Sequence, residues 1–235
     1  MRRILVLSAF ASALALPLGA QTQVSSGTST DYIGPLGKDS QGTPLTAIAQ
    51  TFLLPTGTNY LQSFTFYLAS QLNGNQLFLQ ASVYQFSGDQ LTGPALFASA
   101  LFAGSGNTGG NDTFTFGNTT TSPLNLFLAP NVTYAIVLSA LNGNGSTPDG
   151  STVQANLAAG DTYADGALFY SMVASQADLS APGAFSSLDG TTDVAFDATF
   201  TAAPIVSTPE PATLMLVATG LAGMGGVVSR RRRGS

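Results

Sequence analysis

Five aspartates stand where carboxylate chemistry would want them. Asp161 and Asp165 lie four residues apart beside Gly160 and Gly166, and Asp189, Asp193 and Asp197 recur at the same spacing beside Gly190. A glycoside hydrolase needs two such groups flanking the scissile bond, one as acid and one as nucleophile or base. A calcium ion needs several oxygens from carboxylates and loop carbonyls, and Asp161 and Asp165 are the candidate ligands. No Asp-x-Asp-x-Asp-Gly loop is present, however, and Asp beside Gly in a β protein is ordinarily a turn former. Sugar recognition without catalysis would use an exposed aromatic platform. Trp is absent, which leaves Tyr67, Tyr84, Tyr163 and Tyr170, each of which also reads as a strand residue with a half-buried ring and a wet hydroxyl.

Whole classes of chemistry are closed by composition. The chain has no His and no Cys, so a Ser-His-Asp triad, a cysteine nucleophile and the ordinary zinc, copper and haem sites have no donors. Six of the seven basic residues sit in the first three and last six positions. Between residues 21 and 207 only Lys38 faces eleven aspartates. Such a region cannot neutralise phosphates, so nucleic acid is not a partner, and divalent cations are what its charge would attract. The expectation is a binding or structural protein and not an enzyme.

The strongest pattern is at the C-terminus. Pro209, Glu210 and Pro211 form a stiff signpost, because proline fixes its own φ and holds the residue before it extended. Residues 212–229 follow, eighteen without a charge. As a helix this run would cover about 27 Å, enough to span a hydrocarbon core. Arg230, Arg231, Arg232 and Arg233 would then stay on the cytoplasmic side and leave the rest of the chain outside.

These three elements in this order resemble the sorting tail of the PEP-CTERM proteins of Gram-negative bacteria. The resemblance covers about the last 27 residues. It implies processing by an exosortase, a membrane-embedded cysteine protease, and delivery of the ectodomain to the cell envelope or extracellular matrix. The alternative is a plain single-span anchor with a proline-rich stalk.

The N-terminus carries the complementary signal. Arg2 and Arg3, an apolar stretch over 4–16 and a small-residue end at 17–20 have the anatomy of a secretory signal peptide, with signal peptidase cutting after Ala20 or nearer Ala15. Residues 21–44 read as a flexible leader or a first edge strand. Residues 45–203 read as one ectodomain, and 204–211 as a linker. With no Cys, an exported fold must be held by buried area and hydrogen bonds.

Within the ectodomain, apolar runs alternate with Gly, Pro, Asn and Asp turns. Phe64, Phe66 and Leu68 recur at the two-residue period of a half-buried strand, as do Leu77, Leu79, Ala81 and Val83, and then Val132, Tyr134, Ile136 and Leu138. Further strands are expected at 46–54, 95–103, 112–117, 124–128, 152–157, 166–173 and 194–200, with turns at 73–75, 87–89 and 92–94. Residues 174–192 read as a long polar connection. No stretch shows a sustained helical stripe. About nine or ten short strands predict an all-β, antiparallel sandwich, of jelly-roll type. The runs at 63–68, 81–86, 92–97 and 134–139 are similar to the carbohydrate-binding-like jelly rolls that PEP-CTERM proteins often carry. That likeness names no site. The expected role is structural or adhesive in extracellular polysaccharide or biofilm, with carbohydrate binding, calcium-dependent or not, as the alternative.

Overall fold

The computed structural model describes residues 21–27, 31–38, 44–69, 77–103, 111–119, 121–140, 152–175 and 177–205. The segment 1–20 read as a signal peptide, the turn expected at 73–75, the sorting motif Pro209, Glu210 and Pro211, the apolar run 212–229 and the four arginines lie outside the described residues. Fifteen strands lie among the described residues: β1 (Gln21–Ser25), β2 (Tyr32–Lys38), β3 (Pro44–Leu45), β4 (Ala47–Phe52), β5 (Tyr60–Ala69), β6 (Phe78–Ser87), β7 (Gln90–Ala98), β8 (Phe102–Ala103), β9 (Asn111–Phe116), β10 (Leu126–Phe127), β11 (Tyr134–Ser139), β12 (Thr152–Asn156), β13 (Leu168–Ser171), β14 (Ser186–Ser187) and β15 (Phe196–Thr201). The one helical piece among the described residues is a 3-10 turn, Ala177–Ser180.

Two antiparallel sheets result. The first runs β1-β15-β5-β12-β2-β3, with β9 and β10 also on β5, and the second runs β14-β13-β4-β11-β6-β7, with β8 on β6. The registers sort the crowded flanks of β5. Residues 64–66 pair with both β15 and β9, and residues 68–69 with both β12 and β9. One edge of β5 is therefore shared end to end by β15 and β12, and the other by β10 and β9. Across the sheets, β2 pairs β12, β4 pairs β11, β5 pairs β9 and β6 pairs β7.

The core follows from the two-residue period. Phe64, Phe66 and Leu68 of β5 and Phe196 and Phe200 of β15 meet Ile48 and Phe52 of β4, Ile136 and Leu138 of β11 and Leu79 and Val83 of β6, all buried. Phe52 is the hinge of this contact, with its ring 5.6 Å from that of Phe200 and 5.9 Å from that of Tyr134. At roughly 1.5–3 kcal/mol for each large apolar side chain, this layer is the main stabilising term in a chain without disulfides.

Three segments carry more structure than the sequence reading gave them. The stretch read as leader or edge strand holds β1, an edge strand of the first sheet on β15, and also β2, which lies inside that sheet between β12 and β3. Residues 92–94, expected as a turn, are instead inside β7, which starts at Gln90 and runs through Gly93 and Pro94 to Ala98. Pro94 is tolerated because β7 is an edge strand, where a missing N–H breaks no ladder bond. The register shift between Val83 and Gln85 absorbs the irregularity.

The third departure is the largest. Residues 174–192 are not a plain polar connection: part of the segment lies on the outer face of the second sheet. Leu179, Ala184 and Phe185 are buried there against Ala47, Ala49, Phe86, Leu91, Ala135 and Val137. The Ser171 hydroxyl donates to Ala184 O (2.7 Å) and Phe185 N to Asp89 O (3.1 Å), which pins the segment down. As a result every residue of β4 and β11 is buried.

Candidate functional site

Tyr170 sits at an open flank of the sandwich. The β2–β3 edge of the first sheet and the β13–β14 edge of the second face each other there, and between them is a depression of about 270 Å³ lined by Ile33, Gly34, Pro35, Leu45, Tyr170, Met172 and Leu188. Met172 and Leu188 are about half exposed, at 51% and 48%. The walls are apolar, and the volume lies just under the roughly 300–1,000 Å³ of typical ligand sites. Gly34 keeps the wall thin: at φ +142° a Cβ would stand 3.0 Å from Leu36 N and 3.2 Å from Val153 O.

The other aromatic candidates are committed to packing. Tyr163 donates its hydroxyl to Leu53 O at 2.5 Å and sets its ring edge-on to Phe196. Burial, with Asp165 and Asp193 nearby, pushes that hydroxyl up to about 12. Tyr84 is half-buried at the rim of the second apolar layer. Tyr67 lies on the outer face of the first sheet and donates to Asp197, a bond that with partial burial raises its hydroxyl to about 12. Only Tyr170, of the four, borders the depression.

The five aspartates are not brought together as one set. Asp189 is exposed and closes its own turn, accepting from the Thr192 hydroxyl and from Thr191 N and Thr192 N at 2.6–2.8 Å, and these donors hold its carboxyl down to about 2. Asp161 and Asp165 are exposed on the loop between β12 and β13. Asp193 is wholly buried beneath that loop. Its Oδ1 accepts from Gln50 Nε2 at 2.7 Å, and its Oδ2 from Thr162 N at 3.0 Å and Tyr163 N at 2.8 Å. Gln50 completes the lock by accepting from Val194 N at 2.9 Å. The carboxylate therefore shapes the Asp161–Asp165 loop from below with its own oxygens occupied. Among the described residues no group of three or more acidic side chains is placed to hold a metal ion.

One further device sits where the body meets the sorting segment. Asn125, in the left-handed region at φ +48°, donates from Nδ2 to Ile205 O (2.9 Å) and accepts at Oδ1 from Ile205 N (2.7 Å). Ile205 is the last described residue, and Pro209 follows four positions later. A side-chain amide that pairs with both backbone groups of one residue is a clamp on the outgoing chain. Asn125 is hard to single out in the sequence, because its partner is 80 residues away and only its place between Leu124 and Leu126, as a polar break in an apolar run, marks it.

Comparison with known proteins bears on that outgoing segment. Residues 207–233 match the model of the PEP-CTERM protein-sorting motif, a span that takes in Pro209, Glu210, Pro211 and the arginines. The match indicates an exported protein, with an exosortase as processing partner and sorting at the membrane towards the cell surface. No curated protein matches the sequence. Among solved structures, a chain in the structure of infectious bursal disease virus Gt strain is similar at 13% identity and a TM-score of 0.23, over 87% of this chain and 47% of that one. This chain thus spans about half the length of that neighbour, and a likeness at that score carries nothing about function.

Proposed function

From a chain that carries this sorting motif, we propose a surface or matrix protein whose C-terminus is removed. The signal peptide at 1–20 directs export, the run 212–229 holds the chain in the inner membrane with Arg230 to Arg233 inside, and exosortase cuts near Pro209. The acidic body is then passed to the envelope surface or extracellular matrix, in a structural or adhesive role among polysaccharide. The match over 207–233 carries this reading. The clamp at Ile205 supports it, since a cut near Pro209 leaves every described element intact. The pairings β2 with β12, β4 with β11, β5 with β9 and β6 with β7 support reading the body as a jelly roll: one long hairpin folded over so that its rungs alternate between two sheets.

Mass spectrometry of the C-terminal peptide from the native envelope and medium tests the proposal. A chain ending near Pro209 is expected. A chain still ending at Ser235 would overturn processing and leave a tethered β-sandwich.

The apolar depression at Tyr170 favours a second reading, a carbohydrate-binding module. Its ring would stack on one sugar face, with calcium at Asp161 and Asp165 as an accessory. On a glycan array, binding lost in Tyr170→Ala and kept in Tyr84→Ala is the expected pattern, and sensitivity to a chelator would report the calcium. A flat array for the unaltered protein would remove this reading.

A further inference from the structure

We infer that the end of the sandwich around Ile205, with Phe127 at its tip, is the surface that lies against the lipid bilayer while the sorting tail is intact; this rests on the membrane-span reading of residues 212–229. Chain length is the first argument. Ile205 is fixed to the body by Asn125, so only six residues, seven Cα-to-Cα steps, separate a rigid point from Ala212. Fully extended these seven steps reach about 25 Å, part of which is used in crossing a headgroup layer of roughly 5–8 Å. The body therefore hangs from a short tether.

What surrounds that point suits the bilayer surface. Phe127 pairs with Tyr60, and Tyr60 with Thr201, which places all three beside the exit. At 57% Phe127 is the most exposed of the large apolar side chains described, and its ring stands edge-on to Tyr60, 5.4 Å away. Ala202, Ala203 and Pro204 are exposed next to it. A tyrosine at the mouth of a span suits headgroup level, where Trp and Tyr are enriched, and the exposed Phe127 beside it offers apolar surface to the acyl boundary.

Charge points the same way. The ectodomain is strongly acidic, yet residues 53–64, 117–134 and 198–205 contain no Asp, Glu, Lys or Arg. Along β15 the nearest carboxylate, Asp197, is four residues from Thr201, about 13 Å at strand rise. That exceeds the roughly 8–10 Å screening length at physiological salt, so this end can approach anionic headgroups without repulsion along that strand.

The absence of cysteine makes the test clean. Single-cysteine variants Phe127→Cys, Ala203→Cys and, at the far end of the first sheet, Thr113→Cys are labelled with a fluorophore. Each tail-bearing chain is reconstituted into vesicles of phosphatidylethanolamine and phosphatidylglycerol carrying a headgroup-level spin-labelled lipid. Flotation is scored first. Loss of fluorescence at 127 and 203 but not at 113 is expected. Chains that float with all three labels equally bright, or equally quenched, would overturn the surface assignment alone. Chains that fail to float would overturn the membrane-span reading and the inference with it.

Discussion

Replacing Asp193 by alanine is expected to lower the stability of the exported body by about 3 kcal/mol at neutral pH, the scale for stripping the partner from buried donors. Three N–H groups, from Gln50, Thr162 and Tyr163, converge on this one carboxylate. Without it Gln50 Nε2, in the core between the sheets, keeps only its longer bond to Thr51 O (3.2 Å), and the loop carrying Asp161 and Asp165 loses its two backbone anchors. Removing a charge that burial disfavours offsets part of the loss, which is why the figure is not larger. Urea unfolding reads it as a lower midpoint at an unchanged slope. A shift under about 1 kcal/mol would show that the loop is held by Tyr163 packing and not by the carboxylate.

The same residue sets a pH dependence. Burial raises the Asp193 carboxyl above its ordinary value, against the pull of the donors from Tyr163, Gln50 and Thr162. A raised carboxyl binds a proton more readily folded than unfolded. Its contribution to stability is therefore full below the ordinary value near 3.8 and is lost as pH rises through the folded value. Acidification from pH 7 towards 4 should therefore widen the gap between the unaltered protein and Asp193→Ala. Asp189 works in the opposite sense, its stabilising contribution falling away only below about 3.8, towards 2. A gap that narrows on acidification would mean that the three donors outweigh burial.

How much of this was legible from sequence depends on which faces an element buries. β5, β6 and β11 alternate because the inner faces carry Phe64, Phe66, Leu79, Val83, Ile136 and Leu138, and two-residue periodicity reports that directly. The sorting signal was legible for a different reason: stiffness, apolar length and terminal charge are local properties, and the match over 207–233 is to that same stretch. Asp193 was not legible. In a sequence it is one more Asp near a Gly, and the partners that make it structural lie 143 and about 30 residues away. Gln50 was hidden inside an apolar run for the same cause. Gly93 and Pro94 read as a turn because the sequence does not say that β7 would be an edge strand. Tyr84, Tyr163 and Tyr170 looked alike until packing separated them.

The segment over the second sheet is the clearest case of structure that periodicity cannot see, and it leads to the other large effect. Its apolar anchors, Leu179 and Phe185, are six residues apart with only small residues and Pro182 between them, too sparse to mark either a strand or a helical period. They work because β4 and β11 present small side chains outward, Ala47, Ala49 and Ala135, leaving a shallow bed that two large ones fill. Phe185→Ala is accordingly expected to lower stability by about 3–4 kcal/mol, since truncating a buried Phe removes its transfer term and leaves a cavity. Its edge-on contact with the Phe86 ring at 5.8 Å is lost as well. The layered design predicts how this loss will look. The core between the sheets does not contain Phe185, so the sheets should persist while the flap opens, exposing Phe86 and Leu91. Limited proteolysis should then cut within residues 174–187 under conditions where circular dichroism still reports the native β signal. If cleavage and loss of the β signal coincide, the flap and the sandwich unfold as one unit, and burial of β4 and β11 on both faces is a condition for the sheets themselves.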